Sequence, residues 1–264
     1  MSLHFILYVA LGICAGLLSG LFGIGGGIIL VPFLVWMFTL QGFPLEIVML
    51  VAVATSLATI ILTSLSSIAA HHRRGTVDWS IVFRLAPGIL LGSIAGSLVA
   101  DRLPGETLKT VFALYLLIVS IQTGMRIQPK PEPVRLSTWL TFGAGGLIGT
   151  VSAILGIGGG TLTVPLLTKC RIPMRNAVAI SAACGLPIAA AGTISYAVLG
   201  WQAGRLPDGC LGYIYLPAFI GIVAGSMPFA PLGARLAHFL PTGRLKRAFA
   251  LFLLLLAIKL FWTG

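Results

Sequence analysis

The sequence predicts an all-α polytopic membrane protein made of two inverted five-segment repeats, each opening with a Gly-broken helical hairpin. Three observations carry that prediction. Hydrophobic residues fill 58% of the 264 positions and charged residues only 9%, where a soluble globular protein carries roughly 25%. Residues 21–35, LFGIGGGIILVPFLV, return at 154–168 as ILGIGGGTLTVPLLT, with eight of fifteen positions identical at an offset of 133. The basic residues collect in loops whose order is opposite in the two halves.

The composition excludes a soluble enzyme, a secreted disulfide scaffold and a disordered chain. A net charge of +11 does not indicate nucleic acid here, because Lys and Arg sit singly or in short clusters between apolar runs. Such clusters set orientation and meet lipid headgroups. The four Cys show no CxxC or metal-ligand spacing. No cofactor is expected.

The segments follow from the charge-free runs. No Asp, Glu, Lys or Arg occurs from Ser2 to Leu45, which is too long for one span of about 20 residues. That run breaks at Gly23–Gly27, giving segments 3–21 and 27–40. The start, MSLHFILYVALG, has no basic residue and no small-x-small cleavage pattern, so it reads as a retained helix. Segments 46–70, 80–100 and 107–125 complete the first half. The second half repeats the pattern as 136–154, 160–168, 175–199, 211–234 and 245–263, again broken by glycine at Gly156–Gly160. Matches beyond the glycine motif support the pairing: AVATS with AVAIS, GSIAGS with GIVAGS, and LKTVFAL with LKRAFAL. The expected organisation is a first membrane repeat at 1–125, a Pro-rich cytoplasmic linker at 126–135 and a second membrane repeat at 136–264.

The basic tally gives the orientation. Loops 71–78, 126–135, 169–175 and 235–247 hold twelve of the seventeen Lys and Arg. By the positive-inside rule these face the cytoplasm. Equivalent loops then lie on opposite sides, both termini lie outside, and the first two segments of each half enter and return on one side.

The GIGGG turns are the leading candidates for a binding site. Neither copy fits a dinucleotide or P-loop pattern. Non-helical backbone at membrane depth is tolerated only inside protein or beside a polar cavity. The short helix after each turn presents free N–H groups and a positive dipole end. Glycine lets an anion approach them closely, as in transporters with broken helices. The candidates are therefore Gly25, Gly26 and Gly27 in the first half, and Gly158, Gly159, Gly160 and Thr161 in the second. The competing reading, that glycine only permits close helix packing, suits the small residues four apart: Gly12/Gly16/Gly20, Gly145/Gly149, Gly92/Gly96 and Gly221/Gly225. Thr55, Ser56 and Ser181 lie at matched repeat positions in the third segments, where hydroxyls can hold an oxyanion or bond neighbouring backbone. Arg84 reads as snorkelling to the interface, and His71 and His72 as part of a headgroup-facing basic turn. No acid lies mid-segment, which argues against a buried carboxylate relay.

With GLLSGLFGIGGGIILVPFLV, AVATS, the HHRRG turn followed by VDW, and GTVSAILGIGGGTLTVPLL, the sequence resembles the sulfite exporter TauE/SafE family of bacterial permeases over nearly its whole length. The resemblance implies a multi-pass carrier in the bacterial plasma (inner) membrane that exports a small anion such as sulfite, sulfoacetate or a related sulfonate. One departure is Ile180, where the first half has Thr55. The expected partners are the small anionic substrate and membrane lipids, with no nucleic acid; a homodimer is left open. The alternatives are an importer or channel-like uniporter for another organic anion, and, in a different class, an intramembrane enzyme or structural membrane subunit.

Overall fold

A computed structural model describes residues 2–22, 26–124, 138–204, 206–236 and 242–262. Within them run ten helices: α1 Ser2–Phe22, α2 Gly27–Leu40, α3 Leu45–Arg73, α4 Trp79–Arg102, α5 Gly105–Gly124, α6 Thr138–Leu155, α7 Gly160–Lys169, α8 Met174–Gln202, α9 Leu216–Leu236 and α10 Thr242–Trp262. Five of these, α3, α4, α5, α8 and α9, are long and apolar enough to cross a membrane. The expected 126–135 linker lies outside the described residues.

Helix boundaries follow local chemistry. Asp78 caps α4, its carboxylate accepting from the N–H groups of Ser80 at 3.0 Å and Ile81 at 3.4 Å. Pro44 and Pro173 precede α3 and α8, where a missing N–H is harmless. The structure departs from the expected segments at one place. Residues 211–215 were expected to open the ninth helix; instead Cys210–Leu211 pairs with Ile214–Tyr215 as a small antiparallel hairpin, and α9 starts at Leu216. The backbone bonds of this stretch go to neighbouring helices. Tyr213 N–H donates to Tyr196 O on α8, and Tyr215 N–H donates to Thr55 Oγ1 on α3.

Helix pairing exchanges partners between the halves. α1 packs on α9 and α4 packs on α6, while α3 meets α8 and α5 meets α10. Glycine makes the first two contacts close. A β-carbon on Gly12 or Gly16 would strike the backbone of Ile222 or Ser226, and one on Gly92 or Gly96 that of Gly146 or Thr150. The packing reading therefore holds for these stripes. Rising residue numbers match rising ones, so α1 runs parallel to α9 and α4 parallel to α6. At the centre the sense is reversed. Gly185 of α8 faces Ser64 of α3, and Gly192 faces Leu57. The third helices of the two halves thus run antiparallel, the relation an inverted repeat requires.

The short helices fold back. At 1.5 Å per residue the 14-residue α2 and 10-residue α7 reach about 21 and 15 Å, well short of a ~30 Å hydrocarbon core. Gln41, just past α2, donates from Nε2 to the Tyr8 hydroxyl at 2.6 Å, which returns the end of α2 to the entry level of α1. Leu140 and Thr141 of α6 share a cavity wall with Leu167 and Lys169 of α7, so the second hairpin closes the same way. The central pair α3 and α8 is heavily buried, with Val51, Ala52, Val53, Ala54, Ala177 and Ile180 fully enclosed.

Candidate functional site

The two broken hairpins meet at the core. Gly27, the first residue of α2, lies directly against Gly156 and Ile157 of the other half: a β-carbon there would overlap the Gly156 carbonyl oxygen and stand 2.9 Å from Ile157 Cα. Gly156 has φ +67° and Gly159 φ +72°, left-handed values that glycine takes without penalty. Ser56, in the middle of α3, donates to the Gly156 carbonyl at 2.8 Å and braces the second turn from the first half.

The first turn brings the start of α2 to this junction, and the second leads from it into α7. The first intrahelical bonds of α2 are donated by Ile29 and Leu30 to Gly26 O, and those of α7 by Leu162 and Thr163 to Gly159 O. The N–H groups of Gly27 and Ile28, and of Gly160 and Thr161, precede those bonds and point out of the helix end. Pro32 and Pro165, at equivalent positions, carry no N–H and leave the Ile28 and Thr161 carbonyls without their usual i+4 donors. The junction thus offers aligned amide dipoles with no fixed charge, suited to an anion held reversibly.

The sequence-derived candidates fall into three groups. Gly26, Gly27, Gly158, Gly159 and Gly160 are buried at the two turns; Gly25 lies outside the described residues. Thr161, in the first turn of α7, is hydrogen-bonded through its hydroxyl to Tyr115 of α5. Thr55, Ser56 and Ser181 are fully buried on α3 and α8. Thr55 is engaged by Tyr215 and Ser56 by Gly156, whereas the Ser181 hydroxyl has no partner among the described residues.

Two further residues belong to the junction. The Ser152 hydroxyl on α6 is fully buried, lacks a partner among the described residues, and lies 3.4 Å from where a Gly159 β-carbon would be. Its repeat equivalent is Ser19, so the matched serines in GLLSG and GTVSA were a readable signal. Tyr115 aligns with Phe252 in LKTVFALYL and LKRAFALFL. Phe252 stacks on Phe33 of α2, so α5 and α10 brace the two short helices in corresponding ways, one by a hydroxyl and one by a ring. Arg84 is exposed on α4, in keeping with snorkelling. In the basic turn, Trp79 Nε1 donates to His72 Nδ1 at 3.2 Å and Thr76 donates to His71 O at 3.1 Å.

Comparison with known proteins bears on this geometry. Residues 8–260 match the family described as sulfite exporter TauE/SafE. The chain belongs to that family. A probable membrane transporter protein of Haemophilus influenzae is 39% identical over 257 residues, covering 97% of both chains. The probable membrane transporter protein YunE of Bacillus subtilis is 25% identical over 99% of both. A probable membrane transporter protein of Methanocaldococcus jannaschii is 28% identical, over 82% of this chain and 78% of its own. Membership in this family, with five helices long and apolar enough to cross a membrane, makes the chain a multi-pass membrane transporter.

Proposed function

We propose that this membrane transporter exports a small oxyanion, a sulfur oxyanion or organosulfonate, across the bacterial plasma membrane, and binds it at the junction of the two glycine turns. The observation that carries the reading is the contact of Gly27, where α2 starts, with Gly156 and Ile157 of the turn that leads into α7. The unpartnered hydroxyls of Ser152 and Ser181 support it. A buried hydroxyl without a partner is unfavourable, and an oxyanion supplies the missing acceptor. Antiparallel α3 and α8, with the basic loops on one side, support an inverted repeat with a cytoplasmic linker and both termini outside.

Export needs no coupled ion in this scheme. The acids fall at loops or helix ends, so none is placed to carry a proton across. A potential negative inside drives an anion outward by ~2.3 kcal/mol per charge per 100 mV, roughly 50-fold for a monoanion. The test is sulfite and sulfoacetate flux in proteoliposomes under a clamped potassium diffusion potential with no pH gradient. Saturable flux that follows voltage, and weakens in Ser152→Ala without loss of melting temperature, is the expected result. Flux that ignores voltage and follows an imposed proton gradient defeats the uncoupled scheme. Flux of neither anion in this assay defeats the substrate class.

A further inference from the structure

The β-hairpin at 210–215 breaks the inverted symmetry of the fold. It lies in the connection from α8 to α9, whereas residues 74–78 join α3 to α4 without a strand. It also reaches deep into the bundle. Tyr215 N–H donates to Thr55 Oγ1 at 3.0 Å, and Thr55 stands ten residues, about 15 Å, along α3. The next residue, Ser56, holds the Gly156 carbonyl. The hairpin therefore ends beside the glycine-turn junction.

Its bonds bridge the two central helices. Tyr213 N–H donates to Tyr196 O on α8 at 3.3 Å, two residues before the bond to α3. The Tyr196 hydroxyl donates in turn to Ala153 O of α6, next to Ser152. On the α3 side, the Tyr215 ring meets Phe38 and Phe43 edge-on, with centroids 5.5 and 5.2 Å away. Tyr213 and Ile214 are each 5% exposed, so the space between α3 and α8 is filled at this end. The opposite end is looser: α3 is buried without a break over residues 48–60, but of residues 61–73 only Ser64 is buried. The repeat partner of Thr55 is Ile180, so the half that meets the hairpin carries the hydroxyl and the other half does not.

We propose that the β-hairpin at 210–215 is the outer gate of the transporter. It closes the exit from the junction while Tyr213 and Tyr215 are bonded to α8 and α3, and the anion leaves when it lifts off them. Thr55 is then a positioning residue that latches the gate. The gate rests on anion binding at the glycine turns and on the orientation given by the basic loops.

The experiment uses the full-length protein with its four native Cys replaced and Ser152→Cys as a reporter at the junction. The probe is sulfonatoethyl methanethiosulfonate, a small impermeant anion, added to right-side-out and inside-out vesicles. With the hairpin unaltered, the thiol should react readily from the cytoplasmic side and slowly from outside. Thr55→Val removes the acceptor of the Tyr215 N–H and keeps the side-chain shape. A hydrogen bond is worth about fivefold in an equilibrium, so outside labelling should quicken about fivefold. In Gly212→Ala the β-carbon overlaps the Ala197 carbonyl of α8 at φ +55°. That variant should push the hairpin off α8 and quicken outside labelling about tenfold; if it does not fold, Thr55→Val decides alone. An unchanged outside rate in either folded variant overturns the gate. So does an unaltered hairpin that never admits the probe from outside while the cytoplasmic side labels. Labelling needs no flux, so failure of sulfite and sulfoacetate as substrates leaves this result standing. Labelling from neither side in any variant removes the junction as a binding site, and the gate falls with it.

Discussion

Neighbouring glycines in the first turn should respond in opposite directions to one methyl group. A β-carbon on Gly27 overlaps the Gly156 carbonyl oxygen, stands 2.9 Å from Ile157 Cα and 3.0 Å from Ile60 Cδ1. The first two obstacles are backbone and cannot rotate away, so the turns must part. Overpacking of this kind costs about 1–3 kcal/mol. Parting the turns also strains the 2.8 Å bond from Ser56 to Gly156, worth about 1 kcal/mol. At Gly26 the nearest atoms are Leu30 Cδ1 at 3.6 Å and the Ala15 β-carbon at 3.8 Å, ordinary contacts, and φ is −66°. Alanine there stabilises by about 0.4–1 kcal/mol through the unfolded chain. The unfolded-chain gain applies at both positions and cancels, so the expected gap between Gly27→Ala and Gly26→Ala is about 2–4 kcal/mol, or roughly 10 °C in melting temperature at 2–4 °C per kcal/mol. Differential scanning fluorimetry on the purified variants reads it directly. Equal melting temperatures, or a less stable Gly26→Ala, would refute the packed-junction reasoning. Gly26 is also the cleaner place to test binding. Gly26→Leu should remain folded and stop flux, whereas Gly159→Leu adds strain at φ +72°.

Two further outcomes follow from named contacts. Ser56→Ala leaves the buried Gly156 carbonyl without its hydroxyl donor and should destabilise by about 1–3 kcal/mol, measured as a lower melting temperature; no change would mean that the bond does not brace the turn. A single Cys introduced at 126–135 in a Cys-free background should be labelled only from the cytoplasmic side; labelling from outside alone would overturn the inverted orientation.

Most of the architecture was legible because membrane helices announce themselves by charge-free length and by their breaks. The offset of 133 that matches Gly27 to Gly160 also matches Pro32 to Pro165, and both short helices begin where the glycines end. The segment starting at 211 was misread because its apolar, aromatic residues suit a helix or a short strand equally, and only the contacts of Tyr213 and Tyr215 to α8 and α3 decide between them. The glycines were ambiguous for a similar reason. Composition cannot separate a glycine that admits a ligand from one that admits a neighbouring backbone, and Gly27 is now seen to admit Gly156. The match of Ser152 to Ser19 is legible in the repeat, but the lack of a partner for its buried hydroxyl is a property of the packing that sequence does not carry.

The exchange of partners between halves constrains how such a protein can move. With α1 on α9 and α4 on α6 through backbone-close glycine contacts, the two halves of the sequence cannot separate as two bodies. The units that can shift are mixed: α1, α2, α3 and α9 on one side, and α4, α6, α7 and α8 on the other, meeting along α3 and α8. α10 is tied to the first by Phe252 on Phe33, whereas α5 touches both, meeting Leu45 and Glu46 of α3 at Gly105 and Thr161 of α7 at Tyr115. A bond from α5 to α10 therefore fastens the Tyr115 brace of α7 to the first unit. There the Gly124 and Ala250 β-carbon positions stand 3.5 Å apart, within reach of a disulfide. If transport rocks these mixed units, Gly124→Cys with Ala250→Cys should carry anion when reduced and stop when oxidised, with recovery on reduction. Full flux in the oxidised protein would mean that this contact stays closed throughout the cycle, and the motion would have to be confined to the hairpins themselves.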